Sequence, residues 1–246
     1  MSTLLKAELL KLRTTRTFVA LVAAALALSL LVVVLTALLQ KHFTESEAKN
    51  LFTADATGLF ILLLGVMGMA GEWRHRTITG TVLAAPNRLR LLTAKFIAYA
   101  AAGALLSLIV TLVIMVVGSI ILSARGQPTV GLTDLLDVLW RNLLVAALLG
   151  ALGVGIGGLI RNQVVAIVGI LIVAFAVEPT LYALVPDVGR FAPTTNAPGG
   201  IIHANPFGDQ STTDLLTPGI AVLVMLGWIG LFYAAAGARL RRFDLV

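Results

Sequence analysis

Six long apolar stretches constrain this chain more than any motif does. They run Phe18–Leu39, Ala56–Ala70, Phe96–Leu122, Asn142–Ile160, Val164–Val185 and Pro218–Ala238. About 20 apolar residues in a helix cross the hydrocarbon core of a bilayer, because only a helix or a closed barrel satisfies its own backbone there. Asp, Glu, Lys and Arg make up 12% of the 246 residues, half the roughly 25% usual for a soluble domain. With no Cys, a disulfide scaffold is also excluded. The sequence predicts an all-α integral membrane protein with six transmembrane helices, forming one transmembrane domain over residues 1–246.

Charge placement predicts the orientation. With both termini inside, the inner segments hold Lys6, Lys11, Arg13, Arg16, Arg74, Arg76, Arg88, Arg90, Lys95, Arg161, Arg239, Arg241 and Arg242 against Glu8, Glu72 and Asp244. The outer segments hold Lys41, Lys49, Arg125, Arg141 and Arg190 against nine acids. Cytoplasmic loops carry the excess of Lys and Arg, so both termini are expected in the cytoplasm. The first apolar run is too long for a signal peptide and no small-residue cleavage site follows it, so it reads as an uncleaved span.

Three stretches between the spans carry further information. Residues 3–16 are basic, with Leu5, Leu9 and Leu12 on one helical face. They predict an interfacial helix in which Lys6, Lys11, Arg13 and Arg16 meet anionic lipid. Residues 71–95 carry five basic residues, Trp73 and a Pro86-Asn87 pair. Asn87 is an expected N-cap for a helix that continues into the long third span, and Thr77–Ala85 could form a short helical turn. Anchoring alone needs fewer patterned residues, so a docking surface for a cytoplasmic partner is expected. On the outer side, residues 40–55 read as a polar, mildly acidic loop, and Thr133 or Asp134 as the cap of the helix entering the fourth span. The loop 186–217 contains an apolar Gly199-Gly200-Ile201-Ile202 run, which predicts short helices dipping back into the outer leaflet.

Catalytic signals are missing. No GxxxxGK[ST], HExxH, CxxC or GxSxG occurs, so neither nucleotide hydrolysis nor a metal or serine hydrolase site is expected, and no cofactor. The GxxxG at Gly153–Gly157 falls inside the fourth span and reads as close helix packing. His42, His75 and His203 lie far apart in loops; His203 could meet Asp209 only through folding. A self-powered transporter needs ionisable groups at depth. The spans show only Glu178, next to an expected helix break at Pro179, and it reads as a boundary residue. Energy must therefore come from a partner, and nucleic acid is not expected as one.

The order of these features resembles the membrane subunits of ABC-2-type exporters. The resemblance starts with the basic helix Leu4–Arg13 entering the first span. It continues through Glu72-Trp73-Arg74-His75-Arg76-Thr77-Ile78, Pro86-Asn87-Arg88 and Leu91–Lys95, and ends with the loop from Phe191-Ala192-Pro193-Thr194. Arg76 stands where the family usually has Gly. The resemblance implies a permease subunit in a bacterial cytoplasmic membrane, working with a second permease subunit and two cytoplasmic ABC ATPase subunits that hydrolyse ATP. It implies a coupling helix after the second span, with Glu72, Arg74, His75, Arg76 and Thr77 as its ATPase-coupling residues. An accessory or immunity protein of the same fold, without transport of its own, is the alternative expectation.

Overall fold

The computed structural model describes residues 2–74, 87–160, 162–203 and 215–241. Helices dominate and no strand occurs among these residues. In chain order the helices are α1 (Ser2–Thr14), α2 (Arg16–Leu39), α3 (Glu45–Leu51), α4 (Thr57–Arg74), α5 (Arg88–Ala124), α6 (Leu132–Leu159), α7 (Gln163–Leu184), α8 (Pro186–Gly189), α9 (Asn196–Ile202) and α10 (Pro218–Arg241). Five of them, α2, α5, α6, α7 and α10, are long and apolar enough to cross a membrane. The expected second span corresponds to α4, an 18-residue helix that ends in Glu72-Trp73-Arg74.

Helix α6 is the hub. Within its apolar stretch 72% of the residues are buried, against 17% in α2 and in α10, so α6 is wrapped by its neighbours while α2 and α10 line the rim. Its glycines make this possible. A β-carbon on Gly157 would stand 2.6 Å from the Val66 carbonyl oxygen of α4, and one on Gly65 would stand 2.7 Å from that of Gly150. Real β-carbons do not approach that closely, so the two backbones touch only because a glycine stands at each contact, as the GxxxG reading anticipates.

The same contacts give the helix directions. Gly58 faces Val145 and Leu149, Gly65 faces Gly150 to Val154, and Gly157 faces Val66 and Met69, so α4 and α6 run parallel. Gly155 and Gly158 meet Phe232 and Ala236, so α10 is parallel to α6 as well. Gly103 meets Ala146 and Gly150 meets Tyr99, so α5 runs the other way. Glu8 of α1 bonds Lys95 of α5, and the Arg88 guanidinium donates to the carbonyls of Leu240 and Arg241. Both ends of the chain therefore meet at one end of the bundle, the terminal end.

Arginines close helix C-termini, where the last carbonyls lack intrahelical partners. Arg125 donates to Ala37 and Gln40 at the end of α2, Arg239 to Leu159 at the end of α6, and Arg88 to the end of α10. The outward faces are apolar: Leu28, Leu31, Leu35 and Leu38 on α2 and Val164, Val168, Ile172 and Phe175 on α7 are exposed. An exposed apolar belt of this size is a membrane or partner surface.

Several expectations need correction. The Asn87 cap is present, its side chain accepting from the Arg90 N–H at 3.1 Å, but α6 starts at Leu132 with Gly131 as N-cap, not Thr133 or Asp134. Asp134 instead bonds Lys49 of α3 at 2.8 Å. No break occurs at Pro179; a π-helical turn, Val173–Val177, precedes it. Its wider hydrogen-bond spacing lets the chain pass a residue that lacks an N–H. Residues 40–55 are not a simple polar loop: Thr44 and Glu47 form a capping box that starts α3, and Phe52 is fully buried against Gly118. The Gly199-Gly200-Ile201 run is indeed helical, buried in α9. The expected turn at Thr77–Ala85 lies outside the described residues.

Candidate functional site: a buried ion cluster at the terminal end

Helix α1 turns an unexpected residue inward. Leu5 and Leu12 face the bundle, but Leu9 is exposed and Glu8 takes the buried position between them, at 3% exposure. A carboxylate out of water needs a charged partner, and Glu8 has two. Its Oε2 accepts from Lys95 Nζ at 2.8 Å and its Oε1 from Lys11 Nζ at 3.2 Å.

Glu72, in the last turn of α4, completes the cluster. Its Oε1 accepts from Lys95 Nζ at 2.7 Å and from Lys11 Nζ at 3.1 Å. Lys95 is 1% exposed, so this ammonium is wholly enclosed by two carboxylates from different helices. The two acids and two ammonium groups balance in charge, which is the condition for holding them in an apolar setting. Lys11 lies at the solvent edge. Partial burial pulls its pKa down, but the negative charges of Glu72 and Glu8 and their hydrogen bonds outweigh that and hold it above the ordinary lysine range. The second oxygen of Glu72, Oε2, is buried and makes no hydrogen bond.

The cluster joins α1, α4 and α5 where the chain leaves α4. Its two carboxylates and two ammonium groups are engaged with one another, and among the described residues no group of three or more His, Cys, Asp or Glu could hold a metal ion. Its capability is mechanical: a displacement of any one of the three helices must move the others or separate buried charges.

The expected coupling residues divide. Glu72 points into this cluster. Arg74, two residues on, is exposed and reaches Gln163 Oε1 at 3.5 Å, bordering an open hollow of ≈ 500 Å³ lined by Arg74, Asn162, Gln163 and Val164. His75, Arg76 and Thr77 lie outside the described residues, as does Asp209. Of the expected lipid-facing residues, Lys6, Arg13 and Arg16 are exposed, and Lys11, also exposed, belongs to the cluster. His42 is exposed.

Glu178 is 2% exposed. Its carboxylate accepts from the backbone N–H of Thr194 at 2.9 Å, that of Thr195 at 2.8 Å and the Thr195 hydroxyl at 2.5 Å. It anchors the entry to α9. Glu8 and Lys95 escaped the sequence reading. The one available signal was their charge beside apolar runs, but a partner 87 residues away leaves no local pattern.

A family model described as "ABC-2 family transporter protein" matches residues 4–178, from α1 to Glu178 and more than two thirds of the chain. No curated protein matches. The membrane proteins of that family work in general with ABC ATPase subunits. The matched stretch contains all four members of the cluster, and the apolar, close-packed helices around it are those of a permease-type membrane subunit. The chain belongs to the ABC-2 transporter family.

Proposed function

We propose that this chain is the membrane-spanning permease subunit of an ATP-driven exporter in a bacterial cytoplasmic membrane, with six crossings and both termini in the cytoplasm. In this reading α4 is the second crossing: it runs parallel to α6, and its 18 residues extend about 27 Å, close to the thickness of a hydrocarbon core. The excess of Lys and Arg at the terminal end supports the cytoplasmic side.

The observation that carries the functional reading is the Glu8–Lys95–Glu72–Lys11 cluster. Residues 75–77, which would bear on the ATPase, follow Glu72 by three to five positions in the chain. A push delivered there by two closing ATPase subunits would reach α4 at Glu72 and, through Lys95 and Glu8, carry α5 and α1 with it. Glu72 is then the joint and Arg74, with His75, Arg76 and Thr77, the contact. The permease pair would switch between inward- and outward-open states, a two-state equilibrium biased by nucleotide. The Ala-, Leu- and Val-rich helices suit an apolar or amphipathic cargo.

The test is extraction from the native membrane in mild detergent. An ATPase subunit copurifying near one to one, with vanadate-sensitive hydrolysis, supports the reading; recovery of the chain alone, with crosslinker and ATP present, replaces it with the accessory or immunity role. In the purified complex, Arg74→Glu changes an exposed side chain and should lower cargo-stimulated ATP turnover about tenfold, the loss of one charge-assisted contact, without changing Tm. Unaltered turnover removes Arg74 from the coupling set.

A further inference from the structure

We propose that Asp55 is the charged ligand of a monovalent-cation site, of the sodium class, inside the half of the bundle remote from the termini. The backbone N–H of Ala56 donates to Ser29 Oγ at 2.9 Å, and Ser29 is fully buried, 13 residues into α2, about 20 Å along its axis. The burial of Phe52 draws the chain before α4 inward, so this segment brings the partly buried carboxylate of Asp55 against the fully buried Ser107 and Thr111 of α5. An ionisable group held between the helices of a membrane protein is costly and marks an ion or substrate path by default.

The surroundings of Asp55 are oxygen-rich. Its Oδ2 accepts from Ser107 Oγ at 2.5 Å and from Thr111 Oγ1 at 3.0 Å, and its Oδ1 from the Thr57 N–H at 2.8 Å. Ser107 and Thr111 are fully buried, and their hydroxyl oxygens are 3.5 Å apart. Asn142 braces the group, donating to Thr111 Oγ1 at 3.2 Å and to the Phe52 carbonyl at 3.0 Å.

A hard cation of sodium's size holds oxygens at about 2.3–2.6 Å, which places neighbouring ligands about 3.3–3.7 Å apart at right angles. The Ser107–Thr111 edge already has that length, and the two edges to Asp55 need to open by about 1 Å or less. A fourth oxygen is at hand. The Thr57 hydroxyl, against the same carboxylate, is fully buried and makes no hydrogen bond of good geometry. Charge selects the valence. Asp55 makes no ion pair among the described residues, so one positive charge neutralises the site. A divalent ion would leave an excess charge in apolar surroundings and ordinarily recruits more carboxylates.

This site takes no part in the coupling to an ATPase, and the inference stands apart from that reading. The test is thermal unfolding of the full chain in nanodiscs, in NaCl against choline chloride at constant ionic strength and pH. The wild type should gain Tm saturably with sodium, by about 3–6 °C at tenfold excess over Kd. Asp55→Asn should show no sodium-specific gain. Thr57→Val, which removes a hydroxyl held by no more than a poorly aligned hydrogen bond to Asp55, should change the choline Tm little and shift the sodium titration at least severalfold to higher concentration; it decides the matter even where Asp55→Asn does not fold. Superimposed sodium and choline curves for the wild type overturn the proposal. So does a Tm that follows pH but not sodium, which would make Asp55 a proton carrier, and so does a Thr57→Val titration identical to wild type.

Discussion

The two ends of this bundle hold carboxylates by different chemistry. At the terminal end Glu8 and Glu72 share Lys95, and Lys11 closes the edge. In the other half Glu178 is held by two backbone N–H groups and a hydroxyl, and Asp55 by two hydroxyls and one N–H. The first arrangement ties three helices through strong, weakly directional attraction that tolerates small shifts. The second fixes local geometry through directional dipoles, as at α9, where the donors lie 16 and 17 residues from Glu178. A part that must transmit movement suits the first, and a frame that must stay fixed suits the second.

The sharpest way to break this contrast is to remove the shared cation. Lys95→Met leaves two buried carboxylates facing each other, and breaking a buried ion cluster in this way costs about 3–5 kcal/mol. Unfolding in mixed micelles would read it. The triple change Glu8→Gln, Glu72→Gln and Lys95→Met should recover most of the loss, since removing all the charges removes the desolvation penalty with them. A Lys95→Met protein as stable as wild type would mean the cluster is already hydrated, and the contrast would fall.

How much of this was open to sequence reasoning depends on range. The apolar runs announce themselves because a bilayer leaves few alternatives, and Asn87 is readable because a cap acts within three residues. The inward turn of Glu8 was not readable. A helical wheel assigns the buried face to Leu9, and only the distant Lys95 makes Glu8 the better occupant. Asp55 was misplaced for a related reason: its loop is polar, but Phe52 finds a pocket over Gly118 and draws the loop into the bundle. The π turn before Pro179 has no signature in composition either. Of the coupling residues, Glu72 and Arg74 are neighbours in sequence, yet a helix ending between bundle and solvent sends them in opposite directions.

A smaller effect sharpens the other side of the contrast. Glu178→Gln keeps the side-chain volume but presents an amide N–H₂ to donors. One of the Thr194 or Thr195 groups then faces another donor in a buried place, at a cost of about 1–3 kcal/mol. Hydrogen exchange should show the loss confined to α8 and α9, with the terminal end unaffected. Loosening that spreads to α1 or α4 would mean the two ends are one cooperative unit.

The smallest expected effect lies where α9 ends. His203 is the C-cap, in the left-handed conformation at φ 53°, where a β-carbon costs about 1–2 kcal/mol and glycine costs nothing. Glycine also gives the unfolded chain more freedom, which removes about 0.4–1 kcal/mol of that gain, so His203→Gly should raise stability by up to about 1 kcal/mol at pH 7.5. The imidazole adds a pH dependence. Partial burial, then the positive charge of Arg141, hold its pKa below the ordinary 6.5, with Asp137 opposing. A base whose folded pKa is depressed supports the fold above its unfolded pKa and withdraws that support as pH falls through the folded value. The wild type should therefore lose stability between about pH 6.5 and pH 5 by a contribution that His203→Gly lacks, and the gap between the two proteins should widen on acidification. Parallel melting curves across that range would show that Arg141 is fully occupied by Asp137 and the Ile201 carbonyl, and that its charge does not reach the imidazole.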